Sequence, residues 1–227
     1  MADVGVVLPV FNGEAHLQEA LESIAAQTYP VCDVVAVDDG STDASAHLLR
    51  DFGARVITTD RVGQALARDR GRSMVRGDLI AFLDQDDRWL PDKLSRQVAL
   101  LDAEPDVSFV GALSTVFLDA GTQRPPWWKP AWDLGTPELS LLPSATLYRR
   151  SAFDVAGGFA AAAVAVSEDV AWTALAQDLG LRRAVVDEVL VQRRIHAHNT
   201  SRDQRERIHE HLAIVRASLA RKRAARD

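Results

Sequence analysis

The acidic residues at 84–87 have the residue types and spacing best suited to chemistry in this sequence. They read Asp-Gln-Asp-Asp and directly follow five apolar residues at 79–83. Such an apolar run is typical of a strand buried on both faces, and carboxylates at its carboxyl end lie where open α/β sheets bind ligands. Crowded carboxylates repel one another unless a cation neutralises them, and hard divalent cations prefer oxygen ligands. Asp84 and Asp86 are therefore predicted to bind a divalent cation together with a diphosphate.

A second acidic pair, Asp38 and Asp39, follows the apolar residues 34–37. The carboxyl ends of parallel strands share one edge of a sheet, so this pair should face the same crevice as residues 84–87. One interpretation is hydrogen bonding to a ribose or a base. The other is a turn that caps the next helix near Ser41. The presence of both acidic clusters favours binding.

Glu168 and Asp169 form a third acidic cluster, at the start of a helix predicted over 168–179. Acids in a first helical turn complement the helix dipole, which is one interpretation. The other is that one carboxylate acts as a general base, because a hydroxyl is a poor nucleophile unless its proton is removed as it attacks. The local pattern leaves both open.

The first hundred residues alternate four times between predicted strands and helices. The strands are predicted at 4–9, 34–37, 56–57 and 79–83, and the helices from 14, through 48–49, over 63–75 and from 91 to about 103. This alternation predicts an α/β fold, with a mostly parallel sheet and helices on both faces.

The following hundred residues are less regular. Strands are predicted over 107–118, as one or two segments, at 146–148 and over 185–195, with a short helix at 151–156. The long segment 119–143 is rich in Pro, Gly and Trp, which is typical of a functional loop. Its Trp127 and Trp128 are predicted either to contact acceptor sugar rings or to anchor the loop.

The C-terminal segment 201–227 is predicted to be one polar helix. It carries eight Arg or Lys and four Asp or Glu, and Ile208, Leu212, Val215 and Leu219 recur at helical spacing. This apolar stripe is predicted to pack on the protein or on a partner, and contact of the basic end with anionic lipid is the alternative.

Length and composition favour one globular domain. We predict a single domain over 1–227, divided into a nucleotide-binding half at about 1–110, an acceptor-side half at 111–200 and the C-terminal helix. The 227 residues carry a formal net charge of −6, which argues against a nucleic-acid partner. The single Cys32, with no signal-like or membrane-spanning run, favours a cytoplasmic location, with the inner face of the membrane as a variant.

Several motifs, in order along the chain, resemble family 2 glycosyltransferases of the GT-A fold. They are Leu-Pro-Val-Phe-Asn at 8–12, Val-Asp-Asp-Gly-Ser-Thr-Asp at 37–43, Ala-Arg-Asp-Arg-Gly at 67–71, Phe-Leu-Asp-Gln-Asp-Asp at 82–87, Gly-Gly-Phe at 157–159, Ser-Glu-Asp at 167–169 and Arg-Ile-His-Ala-His-Asn-Thr-Ser at 194–201. The third motif has Asp69 where the family usually has Asn. The resemblance covers about residues 3 to 201.

The resemblance implies a metal-dependent, inverting transferase that uses a UDP-, GDP- or dTDP-linked sugar. Asp39 would bind the base or ribose, and Asp38 and Arg68 would also bind the nucleotide. Pro9 and Phe11 would line the nucleotide pocket. Asp86, with Asp84, forms a DxD-type element for Mg²⁺ or Mn²⁺, and Asp84 would also reach the ribose.

The same resemblance makes Asp169 the general base, with Glu168 beside it. Arg194 and His196 are possible phosphate contacts, and Trp172 joins Trp127 and Trp128 as a possible acceptor contact. The acceptor would be a glycan, a lipid-linked molecule or a small molecule, in the synthesis of a polysaccharide or glycoconjugate. Oligomeric state is left undetermined.

Two other functions remain as alternatives. A non-catalytic module that binds sugar nucleotides or glycans would not need all three acidic clusters. A sugar nucleotidyltransferase should carry a basic, glycine-rich loop for a triphosphate, whereas residues 9–14 contain no Lys or Arg.

Overall fold

The computed structural model describes residues 1–119, 121–124, 134–162, 167–196 and 204–224. Within these residues, one mixed sheet is flanked by helices. Its strands are β1 (Val4–Val10), β2 (Val31–Asp38), β3 (Arg55–Thr58), β4 (Leu79–Phe82), β5 (Arg88–Trp89), β6 (Val107–Leu118), β7 (Glu138–Leu139), β8 (Leu147–Arg149) and β9 (Arg182–Ile195). The helices are α1 (Leu17–Ala25), α2 (Ser45–Phe52), α3 (Gln64–Met74), α4 (Lys93–Ala103), α5 (Arg150–Ala156), α6 (Glu168–Asp178) and α7 (Gln204–Ala224).

The N-terminal half forms the parallel part of the sheet, in the order β3-β2-β1-β4. Every residue of β1 and β4 is buried, which explains why both read as uninterrupted apolar runs. Val10 pairs with Asp38, and Val7 pairs with Phe82. The acidic clusters that follow β2 and β4 therefore meet at one edge, as the sequence predicts.

The second half extends this sheet with antiparallel and parallel pairs. Strand β8 lies antiparallel to β4 and to β6, and β6 runs parallel to β9 over its whole length. Residues 107–118 form one strand of 12 residues. The two-residue β5 pairs with β9, placing Arg88 opposite Gln192. This pairing curls the end of β9 towards the acidic segment at 84–87.

Helix α3 lies unusually close to the sheet because of Gly71. A β-carbon at this position would collide with Val7 of β1 and press on Val37 of β2. The close approach of helix and sheet is what lets Arg68, one turn earlier on α3, reach the carboxyl edge of the strands.

The apolar stripe of α7 does not pack on the described part of the protein, which corrects that part of the sequence-based prediction, whereas packing on a partner stays a prediction. Ile208, Leu212, Val215 and Leu219 are all exposed, whereas the neighbouring face of the helix contacts the protein through the buried Ile214. No helix in the described parts of the chain is long and apolar enough to span a membrane. The division into three regions stays a prediction.

Candidate functional site

A cavity of about 840 Å³ lies at the carboxyl edge of β1, β2 and β4. Most of the site residues predicted from the sequence line it: Pro9, Phe11, Asp39, Arg68, Asp84, Asp86, Glu168, Asp169 and His196. The fold thus brings all three acidic clusters to one concave surface. A volume of this size is typical of small-molecule sites.

The corner at 84–87 is held by backbone hydrogen bonds. The Leu83 amide donates to the carbonyl of Val7, and the Asp87 amide donates to the carbonyl of Asp84 at 3.2 Å. The Asp87 carboxylate is buried and accepts from the Arg194 amide at 3.2 Å. Burial, with the carboxylates of Asp86 and Asp84, raises the pKa of Asp87 well above its ordinary value. Asp87 therefore closes the corner, while Asp84 and Asp86 carry the accessible carboxylates.

Asp86 is paired with a histidine from the far end of β9. Its Oδ2 lies 2.9 Å from Nε2 of His196, and the His196 ring lies against that of His16 with centroids 5.0 Å apart. Burial, followed by the charge on Arg194, lowers the pKa of His16. The His196 ring thus contacts a carboxylate that is predicted to hold a cation, whereas His16 pairs with Asp119 at 3.7 Å.

Arg68 connects the two acidic clusters on either side of the cavity. Its guanidinium donates to Asp84 Oδ1 at 2.6 Å and to Glu168 Oε1 at 2.5 Å. The Arg68 side chain is buried. Burial alone would lower the pKa of Arg68, but the two carboxylates raise it. Burial raises the pKa of Glu168, against the opposing effect of Arg68. Arg68 is thus an ion-pair bridge between Asp84 and Glu168.

Asp169 lies beside this bridge in the first turn of α6 and lines the cavity. The 3₁₀ helix that packs against α6 is anchored by α3. The Asp69 carboxylate accepts hydrogen bonds from the amides of Phe159 at 3.0 Å and Ala160 at 2.9 Å. The carboxylate of Asp69 therefore fixes the short 3₁₀ helix Phe159–Ala162 on the acceptor side.

The other end of the cavity is aromatic and cationic. The guanidinium of Arg61 lies 4.3 Å above the Phe11 ring. The side chain of Gln85 makes two hydrogen bonds with the backbone of Phe11, at 2.8 Å to its amide and 3.0 Å to its carbonyl. Gln85, the middle residue of Asp-Gln-Asp, therefore fixes the loop that carries Phe11 to the acidic corner.

Asp39 orders the loop that carries Arg61. It accepts hydrogen bonds from the hydroxyl of Thr59 at 2.6 Å and from the amides of Val62 and Gly63 at 2.7 and 2.8 Å. Burial acts to raise the pKa of Asp39, but these three hydrogen bonds lower it. The carboxylate is thus held ionised at the cavity wall.

Three predicted site residues lie away from the cavity. The buried Asp38 accepts from the Ser41 amide at 2.9 Å, so it has the turn-capping role that the sequence left as the alternative. Arg194 is buried, and its guanidinium is bound to Glu19 and Asp119. Trp172 is fully buried in an aromatic cluster, and its indole donates to the Gly157 carbonyl at 2.8 Å. None of the three lines the cavity, so its geometry gives no support to the predicted contacts of Asp38 with nucleotide, Arg194 with phosphate and Trp172 with acceptor.

Trp127 and Trp128 lie outside the described residues, so their predicted acceptor contact stays a prediction. The sequence reasoning missed several cavity residues, among them His16, Arg61, Gln64 and Arg193. The alternation of β9 provides a signal for the last of these, because Arg193 and Arg194 point to opposite faces of the strand. Gln64 donates to Asp84 at 3.1 Å and so helps Arg68 to orient that carboxylate.

A divalent cation fits the chemistry of the acidic corner. No group of three or more His, Cys, Asp or Glu is arranged as a cage within the described residues. Mg²⁺ commonly binds one or two carboxylates and completes its shell with water and substrate phosphates. Asp86 and Asp84 provide oxygen ligands of that kind on the cavity wall.

Known proteins resemble this chain in both sequence and fold. The putative teichuronic acid biosynthesis glycosyltransferase TuaG of Bacillus subtilis (strain 168) is 30% identical over 115 residues, covering 48% of this chain and 46% of that protein. The glycosyltransferase GlyA of Streptococcus pneumoniae is 36% identical over 92 residues, covering 38% of this chain and 13% of that protein. The chain thus spans less than half the length of these curated relatives.

Solved structures give the same result for the fold. The mannosyltransferase PcManGT from Pyrobaculum calidifontis, in complex with GDP-Man and Mn²⁺, superposes with a TM-score of 0.70 at 20% identity, covering all of this chain and 65% of that chain. S. aureus TarS 1–349 in complex with UDP-GlcNAc gives a TM-score of 0.66 at 21% identity, covering 87% of this chain and 60% of that chain. These likenesses confirm the GT-A fold.

The profile of Glycosyl transferase family 2 matches residues 5–166, which span β1 to the segment before α6 and include two of the three acidic clusters. The chain belongs to glycosyl transferase family 2.

Proposed function

We propose that this protein transfers a sugar from a nucleotide-diphospho-sugar to an acceptor hydroxyl, with a divalent cation and with inversion at the anomeric carbon. The observation that carries the proposal is the convergence of Asp84, Asp86, Glu168 and Asp169 on one cavity. Family membership and neighbours solved with UDP-GlcNAc and GDP-Man support it.

The nucleoside of the donor binds at the aromatic end of the cavity. Phe11 and Pro9 form an apolar wall there, and the Arg61 guanidinium above the Phe11 ring adds a positive charge. Asp39 stabilises the loop of Arg61 and keeps one edge of its carboxylate near the cavity for the base or ribose. A carboxylate has about four lone-pair sites, so three hydrogen bonds leave capacity for a ligand.

The diphosphate binds next to the acidic corner. Asp86 and, second, Asp84 hold the cation, His196 orients Asp86, and Arg193 adds a positive charge on the same wall. When bound, the cation neutralises the diphosphate and stabilises the departing nucleotide as a Lewis acid.

The acceptor hydroxyl is activated by Asp169. As its oxygen forms a bond to the anomeric carbon, its proton passes to the Asp169 carboxylate. The bond from the anomeric carbon to the phosphate oxygen breaks, and the nucleoside diphosphate leaves with the electron pair. Because the hydroxyl attacks opposite the leaving group, one displacement inverts the anomeric centre.

Glu168 is a poorer candidate for the base, because its carboxylate is buried and ion-paired with Arg68. We assign it a positioning role: through Arg68 it fixes the start of α6 relative to Asp84. Asp169 is thereby held at a set distance from the donor side of the cavity.

The acceptor is proposed to be a growing glycan, in the synthesis of a surface polysaccharide or glycoconjugate. The name of the TuaG relative, which refers to teichuronic acid biosynthesis, supports this class. We also propose that residues 1–227 form a single catalytic domain and that the protein acts in the cytoplasm.

Product stereochemistry tests the proposed reaction. The protein is incubated with UDP-, GDP- and dTDP-sugars and a panel of glycan acceptors, with Mn²⁺ or with a chelator, and products are followed by proton NMR of the anomeric signal. We expect an inverted linkage that forms only with the metal. Retention of configuration contradicts the single displacement, and transfer at full rate in chelator contradicts the role of the cation.

A further inference from the structure

Helix α7 presents a continuous apolar stripe away from the protein. Ile208, Leu212, Val215 and Leu219 are each between 51% and 58% exposed. Their spacing of four, three and four residues keeps them within an arc of about 60° on a helix with 3.6 residues per turn. The stripe extends for roughly 16 Å along the axis, at 1.5 Å per residue.

The stripe cannot turn towards the protein, because the adjacent face of α7 is fixed to α6. Ile214 is buried on that face. The carboxylate of Asp178 at the end of α6 accepts from the Ser218 hydroxyl and the Arg221 guanidinium, both at 2.9 Å, and pairs with Lys222 at 3.3 Å. The side chain of Asp178 is only 2% exposed. Burial acts to raise the pKa of Asp178, but these three donors lower it.

Cations border the stripe, and one of them, Lys222, is shared with the Asp178 carboxylate of α6. Arg223 and Arg216 lie about 50–70° to one side of its centre, and Lys222 lies about 50° to the other side. Glu210 is the one acid among the described side chains of α7, and it lies on the opposite side of the helix from the stripe. This basic edge belongs to a chain whose formal net charge is −6, so positive charge is concentrated where the apolar residues are exposed.

We propose that the exposed stripe of α7 docks the protein on an anionic lipid bilayer. Half-exposed aliphatic side chains with Arg216 and Arg223 beside them suit the headgroup boundary, where the apolar residues are buried and the cations meet lipid phosphates. Charge complementarity favours this occupant over a second copy of the chain, because a second α7 would bring no acid to the cations at the edge of the stripe. The proposal is independent of the sugar-transfer chemistry.

Vesicle cosedimentation tests the proposal. The full chain is mixed with vesicles of phosphatidylglycerol and phosphatidylcholine in equal parts, or of phosphatidylcholine alone. We expect binding to the anionic vesicles that weakens by about tenfold or more in about 0.5 M salt, and little binding to the neutral vesicles.

Two paired variants locate the surface. Leu212→Gln with Leu219→Gln should lower the affinity for anionic vesicles by about tenfold or more, since both leucines lose their burial in lipid. Ala213→Gln with Ala217→Gln is the matched control, because both alanines are exposed on α7 but lie off the stripe. The control pair should bind as the wild type does, and nucleotide binding should be equal in all three proteins.

Other outcomes overturn the proposal. Absence of binding to anionic vesicles contradicts it, as does equal binding by the two paired variants. If sedimentation equilibrium instead shows a dimer that dissociates in the Leu212 and Leu219 variant, and vesicles do not bind, the stripe is a contact between copies of the chain.

Discussion

Two buried cations, one on each face of the sheet, show what separates a functional site from a structural core. Arg68 lies on α3 and is bound to two carboxylates, Asp84 and Glu168. Lys93 lies at the start of α4, fully buried, and no carboxylate within the described residues pairs with it. Its ammonium donates to the Gln97 carbonyl oxygen at 2.8 Å and lies 4.3 Å from the centre of the Trp89 ring.

The presence or absence of a paired carboxylate decides the direction of the pKa shift of each buried side chain. The two carboxylates keep Arg68 charged and raise its pKa. Burial alone lowers the pKa of Lys93 to about 7, because an amide oxygen and an indole do not offset the loss of water. Arg68 stays charged beside the cavity and holds two carboxylates in place for a ligand. Lys93, whose charged form is disfavoured by burial, packs as part of the core.

The largest expected effect concerns the acid next to the ion-pair bridge. Asp169→Asn should lower the rate of transfer by about 10²–10⁴-fold, since it removes the proposed base, while donor-nucleotide affinity changes by less than about twofold. Rate and affinity are measured by single-turnover transfer and by calorimetry.

Glu168→Gln is the matched control for that variant. It should retain more transfer than Asp169→Asn, because its amide oxygen still accepts from Arg68. If Asp169→Asn transfers sugar normally and Glu168→Gln does not, the two roles are reversed.

Arg68→Met breaks the paired side of the comparison. It leaves Glu168 and Asp84 without their shared cation, and removal of one partner from a buried ion pair costs about 3–5 kcal/mol in the free energy of unfolding. Urea unfolding measures the loss. Arg70→Met, at an exposed position on the same helix, should cost little. Equal stability of the two variants would show that the bridge contributes nothing to folding.

Lys93→Met tests the unpaired buried side chain. We expect it to raise the free energy of unfolding, whereas Arg68→Met lowers it. Between pH 10.5 and about 7, the unfolded chain binds a proton at Lys93 that the folded chain does not, so the stability of the wild type falls as the pH drops through this window and levels off below it. At pH 7 the variant should be more stable by roughly 2–4 kcal/mol and should lack this component of the pH dependence. Urea unfolding at several pH values measures it, and an unchanged pH profile would contradict the neutral lysine.

The smallest expected effect is at Asp69, which anchors the acceptor side through backbone amides. Asp69→Asn loses one of two carboxylate acceptors for the amides of Phe159 and Ala160, so unfolding should become easier by about 1 kcal/mol. Asp154→Asn, at an exposed position on α5, is the control. The thermal unfolding midpoints of the two variants are compared, and equal midpoints would contradict the anchoring role of Asp69.

The parallel half could be predicted from the sequence because its signals are local. Continuous apolar runs mark β1 and β4, and the acids at 38–39 and 84–87 follow strands that lie at one edge. Helix α2 ends at Gly53, which has a left-handed conformation, as its glycine suggests. The same local reasoning could not decide the role of Asp38, since a carboxylate at the end of a strand can bind either a ligand or the backbone of its own turn.

The acceptor side depends on contacts between distant parts of the chain. The pair Arg68 and Glu168 is separated by 100 residues, and the pair Asp86 and His196 by 110. No spacing in the sequence reveals that Arg68 bridges two clusters, or that Arg194 pairs with Glu19 and Asp119. The buried position of Trp172 could not be predicted, because an aromatic residue after an acidic pair looks the same in the sequence whether it points to the cavity or to the core.

The central claim is that the acidic corner binds a nucleoside diphosphate through a divalent cation. Calorimetric titration of the wild type and Asp86→Asn with UDP, GDP and dTDP, each with and without Mn²⁺, tests it most directly. We predict that at least one nucleotide binds, that Mn²⁺ raises its affinity by about tenfold or more, equivalent to about 1.4 kcal/mol, and that Asp86→Asn removes this gain. Absence of binding by all three nucleotides, with and without the metal, would contradict the account.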